Sequence, residues 1–147
     1  MTAIASPPVA RQPGSARWAR VRGPVLTIGG LAAATLALHL RDPHQHGSWG
    51  LCPSAALGIY CPGCGGLRAV NDLTHGEVGA AASSNLALVV LLPFAVLGLG
   101  VWAVARWRGT TVTVPAAAVR PVLWVGLALL LAFTVLRNLP AGAWLAP

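Results

Sequence analysis

The sequence predicts an all-α membrane protein: three transmembrane helices with a cysteine-containing outer loop and a short interfacial helix. Two observations carry the class. The chain is 56% hydrophobic and only 9% charged, whereas about a quarter of the residues of a soluble domain are charged. Its apolar residues also fall into three long runs with almost no charge inside them, and its arginines gather at the ends of those runs.

Residues 1–22 hold Arg11, Arg17, Arg20 and Arg22 with no acidic residue and several prolines, the composition of a disordered basic tail. The first helix is expected over about 23–40, where an uncharged run of about 27 Å of helix is just long enough for a hydrocarbon core of about 30 Å. A cleaved secretory signal is the competing reading of this basic-then-apolar start. It is weakened by the two apolar segments that follow and by the lack of a clear cleavage site. The second helix is expected over about 82–105, with a kink at Pro93 that neighbouring groups can satisfy in a membrane. The third is expected over about 117–137, so residues 23–147 form one membrane domain.

The loop over residues 41–78 contains all three cysteines, as Cys52-Pro53 and Cys61-Pro62-Gly63-Cys64-Gly65-Gly66. Leu67, Val70 and Leu73 then recur at helical spacing until Gly76, which predicts a short amphipathic helix on the membrane surface closed by a glycine C-cap. Arginines flank the tail and the connection at Arg106, Arg108 and Arg120, while the cysteine loop sets Arg41 and Arg68 against Asp42, Asp72 and Glu77. By the positive-inside rule the N-terminus faces the cytoplasm, and the cysteine loop and C-terminus face outward. Arg137 is the exception to that rule, expected to reach lipid phosphates or to pair with Asp72 or Glu77.

Three chemistries fit the loop. A Cys-x-x-Cys pair at a helix start feels the positive end of the helix dipole, and Arg68 one turn along adds to it, so Cys61, Cys64 and Arg68 are the candidates for a reactive dithiol. The same Cys-Pro-Gly-Cys-Gly run fits a zinc knuckle, with Cys52 as a third ligand and His44, His46 or His75 as a fourth. A structural disulfide that ties the loop down is the third. Haem attachment is disfavoured because Gly65, not His, follows Cys64. Gly58, Pro62, Gly63 and Gly65 are expected to shape the loop. Asn85, Asn138 and Pro140 are expected to place helix ends beneath it, because amides near hydrocarbon need partners and the loop backbone supplies them.

Cys52-Pro53, Gly58, Cys61-Pro-Gly-Cys64-Gly65, Arg68-Ala69, Leu73, Gly76, Ala80 and Asn85, followed by an apolar helix, closely resemble the small bacterial membrane proteins grouped as domain of unknown function 2752. The resemblance covers about residues 50–95 and implies a bacterial membrane protein in which the motif cysteines, Gly65 and Arg68 matter; it implies no activity, and the spans with their arginine asymmetry make the inner membrane the expected location. The family's asparagine is typically followed by proline, whereas Leu86 follows Asn85 here.

The expected function is that of a structural or partner-binding protein rather than an enzyme. Its surroundings are the lipid bilayer and another membrane protein; scattered arginines with no basic face exclude nucleic acid. A membrane thiol-disulfide oxidoreductase and a zinc-binding protein are the alternatives.

Overall fold

The structure is a computed structural model that describes residues 13–45, 54 and 57–146, and the elements described in full are four helices and a terminal turn. They are α1 (Pro13–Leu40), α2 (Gly66–Thr74), α3 (Val78–Arg108) and α4 (Ala116–Arg137), with a 3-10 turn at Pro140–Leu145. Among the described residues there is no strand. Arg17–Leu40, Val78–Arg108 and Ala116–Arg137 are each long and apolar enough to cross a membrane, which makes this a multi-pass membrane protein.

Two expectations change along the helices. α1 starts at Pro13, so residues 13–22 are helical rather than part of a disordered tail; residues 1–12 lie outside the described residues. The Arg17 guanidinium sits over the Trp107 ring at 4.5 Å, which gives this basic turn a packing partner on α3. Farther along α1, the Trp102 ring lies at ordinary van der Waals distance from where a side chain at Gly23 would start.

The second change concerns the bend in α3. Its one non-helical residue is Asn85, at φ −161° and ψ 92°, while the backbone around Pro93 stays helical. The Asn85 Oδ1 accepts the Leu88 N–H at 2.9 Å, so Asn85 acts as an N-cap for a fresh helix beginning at Leu86. The span from Leu86 to Arg108 is about 34 Å long and matches the hydrocarbon thickness, which frees Val78–Ser84 to lie above it.

α2 forms over the expected residues, and a C-terminal glycine ends it. Gly76 adopts φ 81°, and the Glu77 N–H reaches back to Asp72 O at 2.9 Å while the Gly76 N–H bonds Leu73 O at 3.1 Å. These bonds satisfy the last carbonyls of the helix. α2 packs chiefly on α3 and also on α1, and α1 packs on α3. By contrast, α4 packs on the terminal turn, which in turn contacts α3. Gly142 makes that turn possible, because a Cβ there would run into the carbonyl of Leu136.

α2 is amphipathic in the opposite sense from a helix floating on a bilayer. Ala69, Asn71 and Asp72 are buried against the protein, while Leu67 stays 47% exposed. The Asn71 amide donates to Leu38 O at 2.7 Å, taking up a carbonyl at the end of α1. Asp72, 4% exposed, accepts the Ser84 hydroxyl at 2.8 Å. Where lipid supplies no hydrogen bonds, polar side chains are most useful between elements.

Candidate functional site

The Cys61–Cys64 turn sits between the N-terminal part of α3 and the C-terminal end of α4. The Cys64 N–H bonds Cys61 O at 3.0 Å and the Gly66 N–H bonds Gly63 O at 2.9 Å, so two overlapping turns wind directly into α2. Gly65 joins them with φ 77°, a left-handed conformation that side chains beyond glycine resist. Gly58 is likewise left-handed at φ 76°, where Ser54 O accepts the Ile59 N–H at 2.9 Å.

The sulfur atoms of Cys61 and Cys64 lie 3.3 Å apart, and the Ser54 hydroxyl is 3.7 Å from the Cys64 sulfur. Cys64 is buried and Cys61 half-buried. Hydrogen bonding by the Cys64 side chain, and next by Ser54, holds the Cys61 thiol below its ordinary range. Arg68 has no part in that lowering. It is half-buried and makes no hydrogen bond or ion pair with the cysteines among the described residues.

Three side chains from the ends of α3 and α4 clamp the backbone of this turn. Asn85, 1% exposed, donates through Nδ2 to Pro62 O at 2.8 Å and Cys64 O at 3.1 Å. Asn138 pairs with Tyr60 on both sides, accepting its N–H at 2.9 Å and donating to its carbonyl at 2.9 Å. Pro140 opens the terminal turn just after it.

Arg137 corrects the sequence reading. It reaches neither Asp72 nor Glu77 but turns inward, 1% exposed. Its Nη1 donates to Cys61 O at 2.9 Å and Cys64 O at 3.2 Å, and Nη2 to Cys64 O at 3.2 Å. The Phe133 ring lies under the guanidinium at 4.9 Å. Asp72 is already committed to Ser84 and, at 3.3 Å, to His44. A buried guanidinium whose two terminal nitrogens donate to carbonyls, while Nε has no hydrogen-bond partner among the described residues, was not legible from charge arithmetic, which looks for carboxylates. The available signal was position: Arg137-Asn138 ends a helix at the level of an irregular loop whose carbonyls need donors.

Of the proposed zinc ligands, only Cys61 and Cys64 come together among the described residues. No group of three or more His, Cys, Asp or Glu side chains close enough to hold a metal occurs among the described residues. His44 and His75 belong to a separate cavity of about 460 Å³ with His39, Asn71, Asp72 and Glu77. His75 stacks on His39 at 4.4 Å, and its Nδ1 donates to Asn71 O at 2.9 Å. His44 bridges Asp42 at 2.8 Å and Asp72 at 3.3 Å; its backbone N–H first, then its ring, holds the Asp42 carboxyl below the usual range. Cys52 and His46 lie outside the described residues. The donor set in view is two thiols, half of what a tetrahedral zinc site takes.

Residues 52–99, about a third of the chain, match the family described as protein of unknown function (DUF2752). The match begins at Cys52 and takes in the Cys-Pro-Gly-Cys turn, α2, Asn85 and the first half of the following span. No curated protein and no solved structure matches the chain.

Proposed function

We propose that this multi-pass membrane protein, carrying the DUF2752 segment, is a structural and partner-binding protein of the bacterial inner membrane. Its N-terminus lies inside and its Cys-Pro-Gly-Cys turn faces outward, shaped to dock another integral membrane protein. One observation supports this above others: Asn85, Arg137 and Asn138 direct their donors to the backbone carbonyls of residues 60–64 rather than to the sulfurs. Two helix ends thereby fix the shape of the turn. Around it, Leu57, Ile59, Leu139 and Trp144 are exposed apolar side chains, the chemistry of an interface. The orientation rests on the arginine asymmetry and on the three acidic residues all lying at the end with the cysteines.

Cross-linking in native membranes, followed by mild extraction and mass spectrometry, tests the reading. Cross-links from the turn to one defined membrane protein are expected, retained in Cys61→Ser/Cys64→Ser and lost in Asn138→Ala. Recovery of the chain alone would count against it.

A second reading is favoured by the cysteine geometry. Cys61 is the more accessible thiol and the one whose pKa is lowered, with Cys64 behind it at 3.3 Å. In thiol exchange the Cys61 thiolate would attack a partner disulfide and release one partner thiolate. Cys64 would then attack Cys61 and release the second, leaving a Cys61–Cys64 disulfide and a reduced partner. Mixed disulfides trapped on Cys61 in Cys64→Ser, with a partner lost from Cys61→Ser, would select this reading over docking.

A further inference from the structure

The end of the molecule away from the cysteines carries a groove that the docking reading does not use. Trp18, Val21 and Val25 of α1 and Trp107 of α3 line it together with Arg17, around a volume of about 270 Å³. The Arg17 guanidinium sits over the Trp107 ring at 4.5 Å. Arg20 lies beside Gly109, its guanidinium within ordinary contact of where a Cβ would stand.

The charge balance at this end is one-sided. The only acidic residues of the chain are Asp42, Asp72 and Glu77, all at the opposite ends of the spans. Neither Arg17 nor Arg20 forms an ion pair among the described residues. Arg22, Arg106 and Arg108 add to the same field from neighbouring turns. An anion must therefore come from outside the chain.

We propose that this groove binds an anionic phospholipid, with its phosphate between Arg17 and Arg20 and one acyl chain along Trp18, Val21, Val25 and Trp107. The depth of the groove selects lipid over an acidic protein segment. Val25 lies two turns beyond Arg17, about 12 Å along the helix axis, so the apolar wall descends from headgroup level into hydrocarbon. An acyl chain follows that path without leaving backbone groups unpaired, which an inserted peptide strand would do. Arginine supplies two parallel N–H donors to a phosphate, and stacking on Trp107 holds Arg17 in place for it.

The test uses the full chain in bilayers of phosphatidylcholine doped at equal mole fraction with brominated phosphatidylglycerol or brominated phosphatidylcholine, read by quenching of tryptophan fluorescence. The expected result is stronger quenching by the anionic lipid, with the preference falling roughly tenfold in Arg17→Gln/Arg20→Gln. Val25→Phe, which fills the groove and keeps both arginines, is expected to abolish the preference as well and serves if the arginine variant does not fold. Arg120→Gln removes a charge outside the groove and is expected to leave the preference unchanged. Equal quenching by the two lipids would overturn the proposal. So would an equal loss in Arg120→Gln, which would indicate general surface charge, or retained preference in Val25→Phe.

Discussion

Replacing Arg137 by methionine should open the cysteine turn without unfolding the protein. The substitution removes donors from two carbonyls, Cys61 O and Cys64 O. A hydrogen bond to a charged group contributes about 1.5–3 kcal/mol; against that, methionine removes the cost of keeping a guanidinium away from water. Each carbonyl also keeps one donor, since Cys64 N–H still bonds Cys61 O and Asn85 still bonds Cys64 O. The net local destabilisation is therefore about 2–4 kcal/mol, which raises the open fraction roughly 30- to 700-fold. Alkylation of buried Cys64 by a maleimide reads that fraction directly. Working well above the ordinary thiol pKa range keeps the thiolate fraction constant between variants, so only access changes. Arg137→Lys, whose single ammonium offers no planar fork, should fall between wild type and Arg137→Met. Equal Cys64 alkylation rates in wild type and Arg137→Met, with helical circular dichroism unchanged, would refute the clamp.

Asn85→Asp keeps the cap at Leu88 but cannot donate to Pro62 O or Cys64 O, and should cost about 1–3 kcal/mol; Asn85→Ala loses the cap as well and should cost about 1 kcal/mol more, both read as shifts in thermal unfolding in detergent. Gly142→Ala drives a methyl into the Leu136 carbonyl and should destabilise the C-terminal turn by about 1–3 kcal/mol, seen as faster proteolysis beyond Asn138. The Cys61 thiol, lowered by hydrogen bonding from Cys64 and then Ser54, should show an alkylation pH profile with its midpoint below the ordinary thiol value of about 8.5, moving up in Cys64→Ala and less in Ser54→Ala. The sign for stability follows: the folded state holds the thiolate more readily than the unfolded chain, so this contribution is present above the unfolded pKa and is lost as pH falls through the lowered folded value. A melting temperature that falls as pH rises across that interval in wild type, but not in Cys61→Ser, would contradict it.

Much of the architecture was legible because it is one-dimensional. Apolar run length gives the three spans, and the Leu67, Val70, Leu73 spacing with Gly76 gives α2 and its end. The amides of Asn85 and Asn138 meet the loop backbone because lipid leaves them no other partner. The sense of α2 was not legible, since the same alternation fits a polar face turned to water or turned to protein. Asn71 and Asp72 face inward because the last turn of α1 offers the Leu38 carbonyl to Asn71 and Ser84 donates to Asp72. The sequence points to Pro93 for the bend because proline is the residue that usually breaks a helix. It falls at Asn85 because that side chain caps the next helix and holds the turn above it.

That double role changes what the resemblance to DUF2752 means physically. The first residue of a helix needs no intrahelical donor, so a proline after the capping asparagine would fit the observed backbone; Leu86 occupies this position without altering the cap. What the position demands is an asparagine, because one amide must accept from Leu88 and donate to Pro62 and Cys64. Serine and aspartate are good caps, but a hydroxyl has one hydrogen to donate and a carboxylate none, so neither can make all three bonds. The cysteine turn and the second span are therefore one unit, fixed through a single side chain, and α4 is joined to that unit by Arg137 and Asn138. Whatever binds or reacts at Cys61 and Cys64 acts on the junction between two spans, and a change in the turn is felt by α4 through the carbonyls that Arg137 holds.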